Sequence, residues 1–268
     1  MLVKMLKYPD INPSIIKFGS LDIRWYGFLY IVGFLVGYIF LRKLLKYREI
    51  NLKKEEYENM LFTIMLGIII GGRLGYILFY NLSYYFTHPL DILKVWEGGM
   101  SFHGGAIAVI ILGYLFCKKH KLSFYQLADP VLPLASIGIG LGRLGNFINA
   151  ELYGRVTNVP WAMIFPTDPQ KLPRHPSQLY EIFLEGIVLF VVSFLMLRKI
   201  SKPGIVFWTW IGLYGLFRFL VEFVREPDTQ LGFVLGPLTM GQVLSLLMLI
   251  TSFIALIFLK RKSKNANP

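Results

Sequence analysis

The sequence predicts an all-α membrane protein: a polytopic bundle of seven transmembrane helices, N-terminus outside, C-terminus cytoplasmic, with a small extracytoplasmic cap. Three observations predict it. The 268 residues are 55% hydrophobic and only 16% charged, against roughly 25% charged in an ordinary globular domain, and mean hydropathy is +0.55. The apolar residues gather in seven blocks near the length of about 20 residues that a bilayer demands. Lysine and arginine cluster in alternate loops, as the positive-inside rule requires.

These features exclude disorder, a collagen-like chain, a disulfide scaffold and a plain cytosolic enzyme. The formal charge of +12 does not point to nucleic acid, because the basic residues form short clusters between apolar blocks rather than one stripe. No nucleic-acid partner is expected. One cysteine, Cys117, permits neither an internal disulfide nor a cysteine-based metal site. The first 22 residues hold no apolar core followed by a small-residue cleavage site, so no cleavable signal peptide is expected.

In chain order, the first span is predicted over 24–41 and carries Gly33-x3-Gly37. The second, 60–80, carries Gly67-x3-Gly71-x3-Gly75 and Arg73. The third, 101–117, opens on His103 and ends on Cys117. The fourth, 130–148, holds Gly138-x3-Gly142 and Arg143; the fifth, 179–197, is opened by Gln178 with Glu181 in its first turn. The sixth, 203–224, holds Arg218 and Glu222, and the seventh covers 239–259. The small-residue steps suit close helix packing. The whole chain, 1–268, reads as a single integral-membrane domain, with 149–178 as an outer loop or head segment. Sixteen Lys and Arg fall in 42–59, 118–121, 198–202 and 260–268, against nine on the other side, which sets the N-terminus outside.

Depth is the informative feature. Arg73, Arg143 and Arg218 each lie about 6–10 Å below the outer end of a span. A charge at membrane depth costs about 2.5–3.5 kcal/mol on insertion scales, so it faces a partner or a pocket. For Arg73 and Arg143, snorkelling or pairing with Glu151, Glu181 or Glu185 is one reading. An anion site in the outer leaflet is the other, and a phospholipid phosphate is the obvious anion there. Arginine suits it, because its planar fork binds two oxygens and stays charged when buried. Glu222 follows Arg218 at i+4 and can share its face. Gly71-Gly72-Arg73-Leu74-Gly75 also echoes Gly142-Arg143-Leu144-Gly145.

Other motifs carry less. Gly140-x-Gly142-x-x-Gly145 matches a dinucleotide fingerprint, but it sits inside an apolar span and the position where an acid belongs is Phe165. His120 lies in a basic loop, His88 in an outer loop, and His175 either lines the site or serves the loop. Two non-enzymatic classes remain open beside an enzyme at this point: a non-catalytic phospholipid-binding scaffold and an anion transporter. The inner half of the bundle lacks polar stepping stones, which weighs against a permeation path.

The run Gly142-Arg143-Leu144-Gly145-Asn146-Phe147-Ile148-Asn149-Ala150-Glu151-Leu152-Tyr153-Gly154 resembles the signature of the prolipoprotein diacylglyceryl transferase family. So do Gly98-Gly99-Met100-Ser101-Phe102-His103-Gly104-Gly105, Arg174 through Glu181, and Tyr214 through Glu222 to Asp228. The resemblance runs from Trp25-Tyr26-Gly27 to Met240-Gly241-Gln242, and only the outer segment 155–173 is short beside some relatives. It implies a multi-pass protein of the bacterial cytoplasmic (inner) membrane with its site towards the outer leaflet. Phosphatidylglycerol would donate its diacylglyceryl group to the lipobox cysteine of a prolipoprotein, forming a thioether and releasing glycerol phosphate. The nucleophile then belongs to the substrate, and no cofactor or metal is implied. The resemblance assigns essential roles to Arg143 and Arg218, places Tyr26, Asn146 and Gly154 in the site, and adds His103, Glu151, Tyr214 and Glu222 as supporting members. Arg73 and Gln178 join the substrate-binding candidates by position. His103 is either a general base for the thiol or a headgroup contact.

Overall fold

The computed structural model describes residues 6–19, 21–95, 98–227 and 232–264. Asp228, in the last block of the family-like motif, lies outside the described residues. The protein is mostly helical. Six helices are long and apolar enough to cross a membrane, and a seventh apolar helix, Ile205–Val221, is shorter. The chain groups into two compact units, Met1–Leu41 with Asp129–Pro268, and Arg42–Ala128.

The first unit opens with β1 (Leu6–Lys7), then the antiparallel hairpin β2 (Ser14–Phe18) and β3 (Leu21–Arg24), which runs directly into α1 (Trp25–Tyr47). The second unit holds α2 (Lys54–Tyr80), α3 (Leu82–Thr87), a 3-10 turn (Pro89–Leu93) and α4 (Phe102–Lys119). The helix α5 (Phe124–Ile148) leads back into the first unit, followed by β4 (Met163–Ile164) and β5 (Pro173–Arg174). Next comes one continuous helix made of α6 (Ser177–Glu181), a π-helical stretch (Ile182–Val188) and α7 (Leu189–Lys199). Then follow α8 (Ile205–Val221), the hairpin β6 (Phe233–Leu235) and β7 (Leu238–Thr239), and α9 (Met240–Lys264).

Most helices outrun the spans that hydropathy marks. α1 continues to Tyr47 and α2 begins at Lys54, where Glu56 turns back to accept the Lys53 N–H at 2.8 Å. Hydropathy sees only the part that prefers lipid, while backbone hydrogen bonding continues into water. The exception is α8, which stops at Val221 with Glu222 at its end, three residues short of the predicted limit.

In the second unit, α2 and α4 pack through the predicted small-residue face. A side chain at Gly75 would come within 2.6 Å of the Gly104 Cα, and one at Gly71 would strike Ala108 and the Gly104 carbonyl. Such faces let two backbones touch. Ser101 starts α4 by accepting the Gly104 N–H at 3.3 Å. In the first unit, Asp129 of α5 is fully buried and accepts the N–H groups of Gly204 and Phe207, each at 2.9 Å. This carboxylate sits on the positive end of α8 and fixes the start of the helix that carries Arg218.

The head segment 149–178 supplies β4 and β5 to a small sheet that the N-terminal β1 completes in the order β1-β4-β5, over a core of Tyr8, Phe147, Ala150, Met163 and Phe165. Tyr8 seals the end of α5 by donating its hydroxyl to the Phe147 carbonyl at 2.6 Å, with that of Ile148 at 3.1 Å. The arginine of β5, Arg174, grips Asp168 through Nε at 2.8 Å and Nη2 at 3.1 Å, and Glu226 through Nη1 at 3.0 Å.

Candidate active site

The first unit buries three arginines against three glutamates. Arg143 comes from α5, Arg218 from α8 and Arg225 from the turn after α8. Glu181 ends α6, Glu185 lies in the π-helical stretch, and Glu222 ends α8. One oxygen, Glu181 Oε1, serves all three cations: Arg218 Nη1 at 2.6 Å, Arg225 Nη1 at 3.1 Å and Arg143 Nη2 at 3.4 Å. Glu222 holds Arg218 Nη2 at 2.7 Å and is itself held by the Thr239 hydroxyl at 2.9 Å. Glu185 lies 3.6 Å from Arg143 Nη2. The glutamates at 181 and 185 are wholly buried, whereas the side chains of Arg143 and Arg218 keep 19% and 15% of their surface exposed. The cluster therefore presents its cations, not its anions, to an arriving ligand.

The local fold explains this meeting. Gly140 and Gly186 face each other so closely that a side chain at Gly186 would stand 3.0 Å from the Gly140 Cα. That contact brings α5 onto the π-helical stretch, one turn below Arg143. π-helical turns recur at functional sites. Gly154 performs a similar service in the head. Its N–H donates to the His175 carbonyl at 2.8 Å, and an added Cβ would strike the Val224 carbonyl and lie 2.7 Å from the His175 Cβ. The close approach ties the head to the segment that delivers Arg225, whose carbonyl accepts Arg155 Nε at 2.9 Å.

The other candidates of this unit gather nearby. Tyr26 and Tyr30 place their hydroxyls 3.1 Å apart, and Tyr26 lies against Gly145, where a Cβ would lie 2.6 Å from its ring. Asn146 donates to Glu151 Oε1 at 2.9 Å, and Asn149 donates to the same oxygen at 3.1 Å. The chain can fold back this way because Ala150 and Leu152, on either side of Glu151, adopt left-handed backbone angles. Gln178 is fully buried and donates to the Glu151 carbonyl at 2.6 Å, so its amide positions a main chain. Tyr214 is buried and stacked on Trp210, whose indole N–H donates to Ser136 at 2.7 Å.

Two candidates belong to the second unit. His103 occupies the first turn of α4, half-buried, with its ring edge-on to Phe102. Arg73, a substrate-binding candidate by position, spends its donors on carbonyls of its own unit. It is 4% exposed, its Nε donates to Ile92 O at 3.0 Å, Nη1 to Gly98 O at 2.6 Å and Gly99 O at 3.3 Å, and Nη2 to Asp91 O. The ring of Tyr85 covers it at 5.0 Å. All three nitrogens serve main-chain carbonyls, so Arg73 is a clamp for the segment between α2 and α4.

Sequence reading missed Arg225, which counts there as one more loop charge, and used Glu181 and Glu185 only as possible partners. A signal existed: two acids at i and i+4 inside an otherwise apolar span demand cations. Cys117 is buried at the end of α4. Among the described residues no group of His, Cys, Asp and Glu could hold a metal ion.

A sequence model of the prolipoprotein diacylglyceryl transferase family matches residues 13–258. A protein of Geobacter sulfurreducens named phosphatidylglycerol–prolipoprotein diacylglyceryl transferase is 51% identical, over 96% of this chain and 98% of its own length. Proteins of the same name from Ectopseudomonas mendocina and Rickettsia rickettsii are 49% and 48% identical, over 92% and 91% of this chain and 93% and 95% of theirs.

Proposed function

The chain belongs to the prolipoprotein diacylglyceryl transferase family, and from that premise we propose how its buried arginines serve the reaction. It is a multi-pass membrane enzyme that moves the diacylglyceryl group of phosphatidylglycerol to the lipobox cysteine of prolipoproteins, the first step of lipoprotein maturation. The thiol sulfur attacks the glycerol carbon that bears the phosphate, the C–O bond breaks, and glycerol phosphate leaves. The site faces the outer leaflet of the inner membrane in this proposal, by the distribution of Lys and Arg in the loops.

One observation carries the assignment: a single carboxylate oxygen is shared among Arg143, Arg218 and Arg225. Three cations around one acceptor leave donors to spare. The non-bridging oxygens of a phosphodiester take those donors, and Glu222 holds Arg218 in line. As the bond breaks, negative charge moves onto the leaving phosphate. Guanidiniums already fixed at low dielectric stabilise it with little reorganisation. Tyr26, Asn146 and Glu151 complete the assigned wall, with Gly154, Gln178 and Tyr214 positioning it. For the thiol proton the proposal names His103, whose reference pKa of about 6.5 suits a base.

The test supplies purified full-length protein with phosphatidylglycerol and a lipobox peptide and weighs the peptide. The expected result is a gain of one diacylglyceryl group, lost in Arg143→Ala and Arg218→Ala. Full activity in either variant refutes the anion site. For His103→Gln, the expected rate loss is recovered at high pH; an unchanged pH profile removes the base assignment.

A further inference from the structure

The arginine cluster is electrically complete before any lipid arrives. Among the described residues, three guanidiniums (Arg143, Arg218, Arg225) meet three carboxylates (Glu181, Glu185, Glu222). Adding a phosphodiester leaves one negative charge in excess in a buried place. Such an excess is costly at low dielectric, and protonating a group relieves it.

The three carboxylates differ in how well they are served as anions. Glu181 Oε1 accepts from Arg218 at 2.6 Å and Arg225 at 3.1 Å. Glu222 has Arg218 at 2.7 Å and the Thr239 hydroxyl at 2.9 Å. Glu185 is wholly buried, neither of its oxygens has a hydrogen-bond partner among the described residues, and its ion-pair contact with Arg143 is 3.6 Å long. The charged and titratable groups that face it are Arg143 from α5, Tyr214 and Arg218 from α8, Arg225 beyond α8, and Glu181 from its own helix. When a phosphate shares Arg143, Glu185 loses part of its one ion-pair contact among the described residues.

We infer that the site binds its anionic lipid together with one proton, and that Glu185 is where the proton sits. The inference rests on the anion site proposed above. The proton comes from solvent as the lipid enters and returns when product leaves, so it is separate from the thiol proton. Glu185 is in this sense a positioning residue: once neutral, it releases Arg143 to the phosphate.

Calorimetric titration of short-chain phosphatidylglycerol into the full-length protein in uncharged detergent, in two buffers of different ionisation enthalpy, counts the protons taken up. The expected count approaches one per lipid, and affinity falls with rising pH, by up to about tenfold per unit. Glu185→Gln imitates the protonated form, so its lipid affinity loses this pH dependence and its proton uptake disappears. Binding without proton uptake in the unaltered protein overturns the inference while leaving the anion site intact, as does unchanged uptake in Glu185→Gln. No lipid binding at all sinks the site and the inference together. Should Glu185→Gln fail to fold, the infrared difference spectrum of the unaltered protein on lipid addition reads the same event. A new C=O band that shifts in heavy water and with carboxyl-labelled glutamate, as the lipid's ester carbonyls do not, supports the inference, and its absence overturns it.

Discussion

Arg73 and Arg143 occupy nearly the same sequence, Gly72-Arg73-Leu74-Gly75 and Gly142-Arg143-Leu144-Gly145, each near the end of an apolar helix. Their side chains meet opposite partners. Arg73 is ringed by the carbonyls of Asp91, Ile92, Gly98 and Gly99. Arg143 reaches carboxylates at 3.4 and 3.6 Å and shares the first with two other arginines. Carbonyls of the chain cannot leave, so a guanidinium surrounded by them is a fastener. A carboxylate that serves three cations can yield some of them to a better anion, so those guanidiniums suit the receptor proposed above. Arg174 stands between the two cases, since it is gripped through two nitrogens by the single carboxylate of Asp168. Burial of an arginine is thus no guide to its task; the chemistry and the sharing of its acceptors are.

Substitution tests this contrast most severely at the receptor. Arg143→Ala and Arg218→Ala should each cut the transfer rate on the order of 10²–10³-fold, the usual effect of losing a donor to developing charge, with the protein still inserted and folded. Equal losses in correctly folded Arg73→Ala would break the comparison. Glu222→Gln should lower transfer about tenfold, because it removes one charge-assisted hydrogen bond worth about 1.5 kcal/mol from Arg218; the peptide mass assay reads it. Arg73→Ala should leave transfer per folded molecule within about twofold, while thermal stability drops by on the order of 3 kcal/mol as buried carbonyls lose their donors.

The smallest effect concerns Arg174. Its hydrogen bonds hold the Asp168 carboxyl below the usual carboxylate range, helped by the N–H groups of Gln170 and Leu172. The folded pKa lies below the unfolded one, so the pair's contribution is complete above about pH 4 and is lost as pH falls through the depressed value. Asp168→Asn should remove that acid sensitivity from the melting temperature and leave transfer at neutral pH unchanged.

Much of this was legible in the linear chain. Seven apolar blocks announced the helices, because the preference for lipid is a sum over neighbouring residues and needs no knowledge of distant partners. Arg143 and Arg218 stood out for the same reason: a charge inside an apolar block is conspicuous wherever it finally points. The ends of the helices were less legible. Capping by Glu56 starts a helix outside the block that hydropathy marks, and capping by Asp129 starts one two residues inside it.

The sequence by itself determined the membrane class, the helices and the presence of deep cations. Only the tertiary structure decided which cations share an acceptor. It gave Arg73 the carbonyls of its own unit as acceptors, brought Arg225 in from a loop through the Gly154 contact, and set Glu185 beside Arg143 through the meeting of Gly140 and Gly186. The physical reason is range. Hydropathy acts along the chain, residue by residue, whereas an ion pair acts across space between residues dozens of positions apart, and its meaning changes with every additional group that competes for the same oxygen.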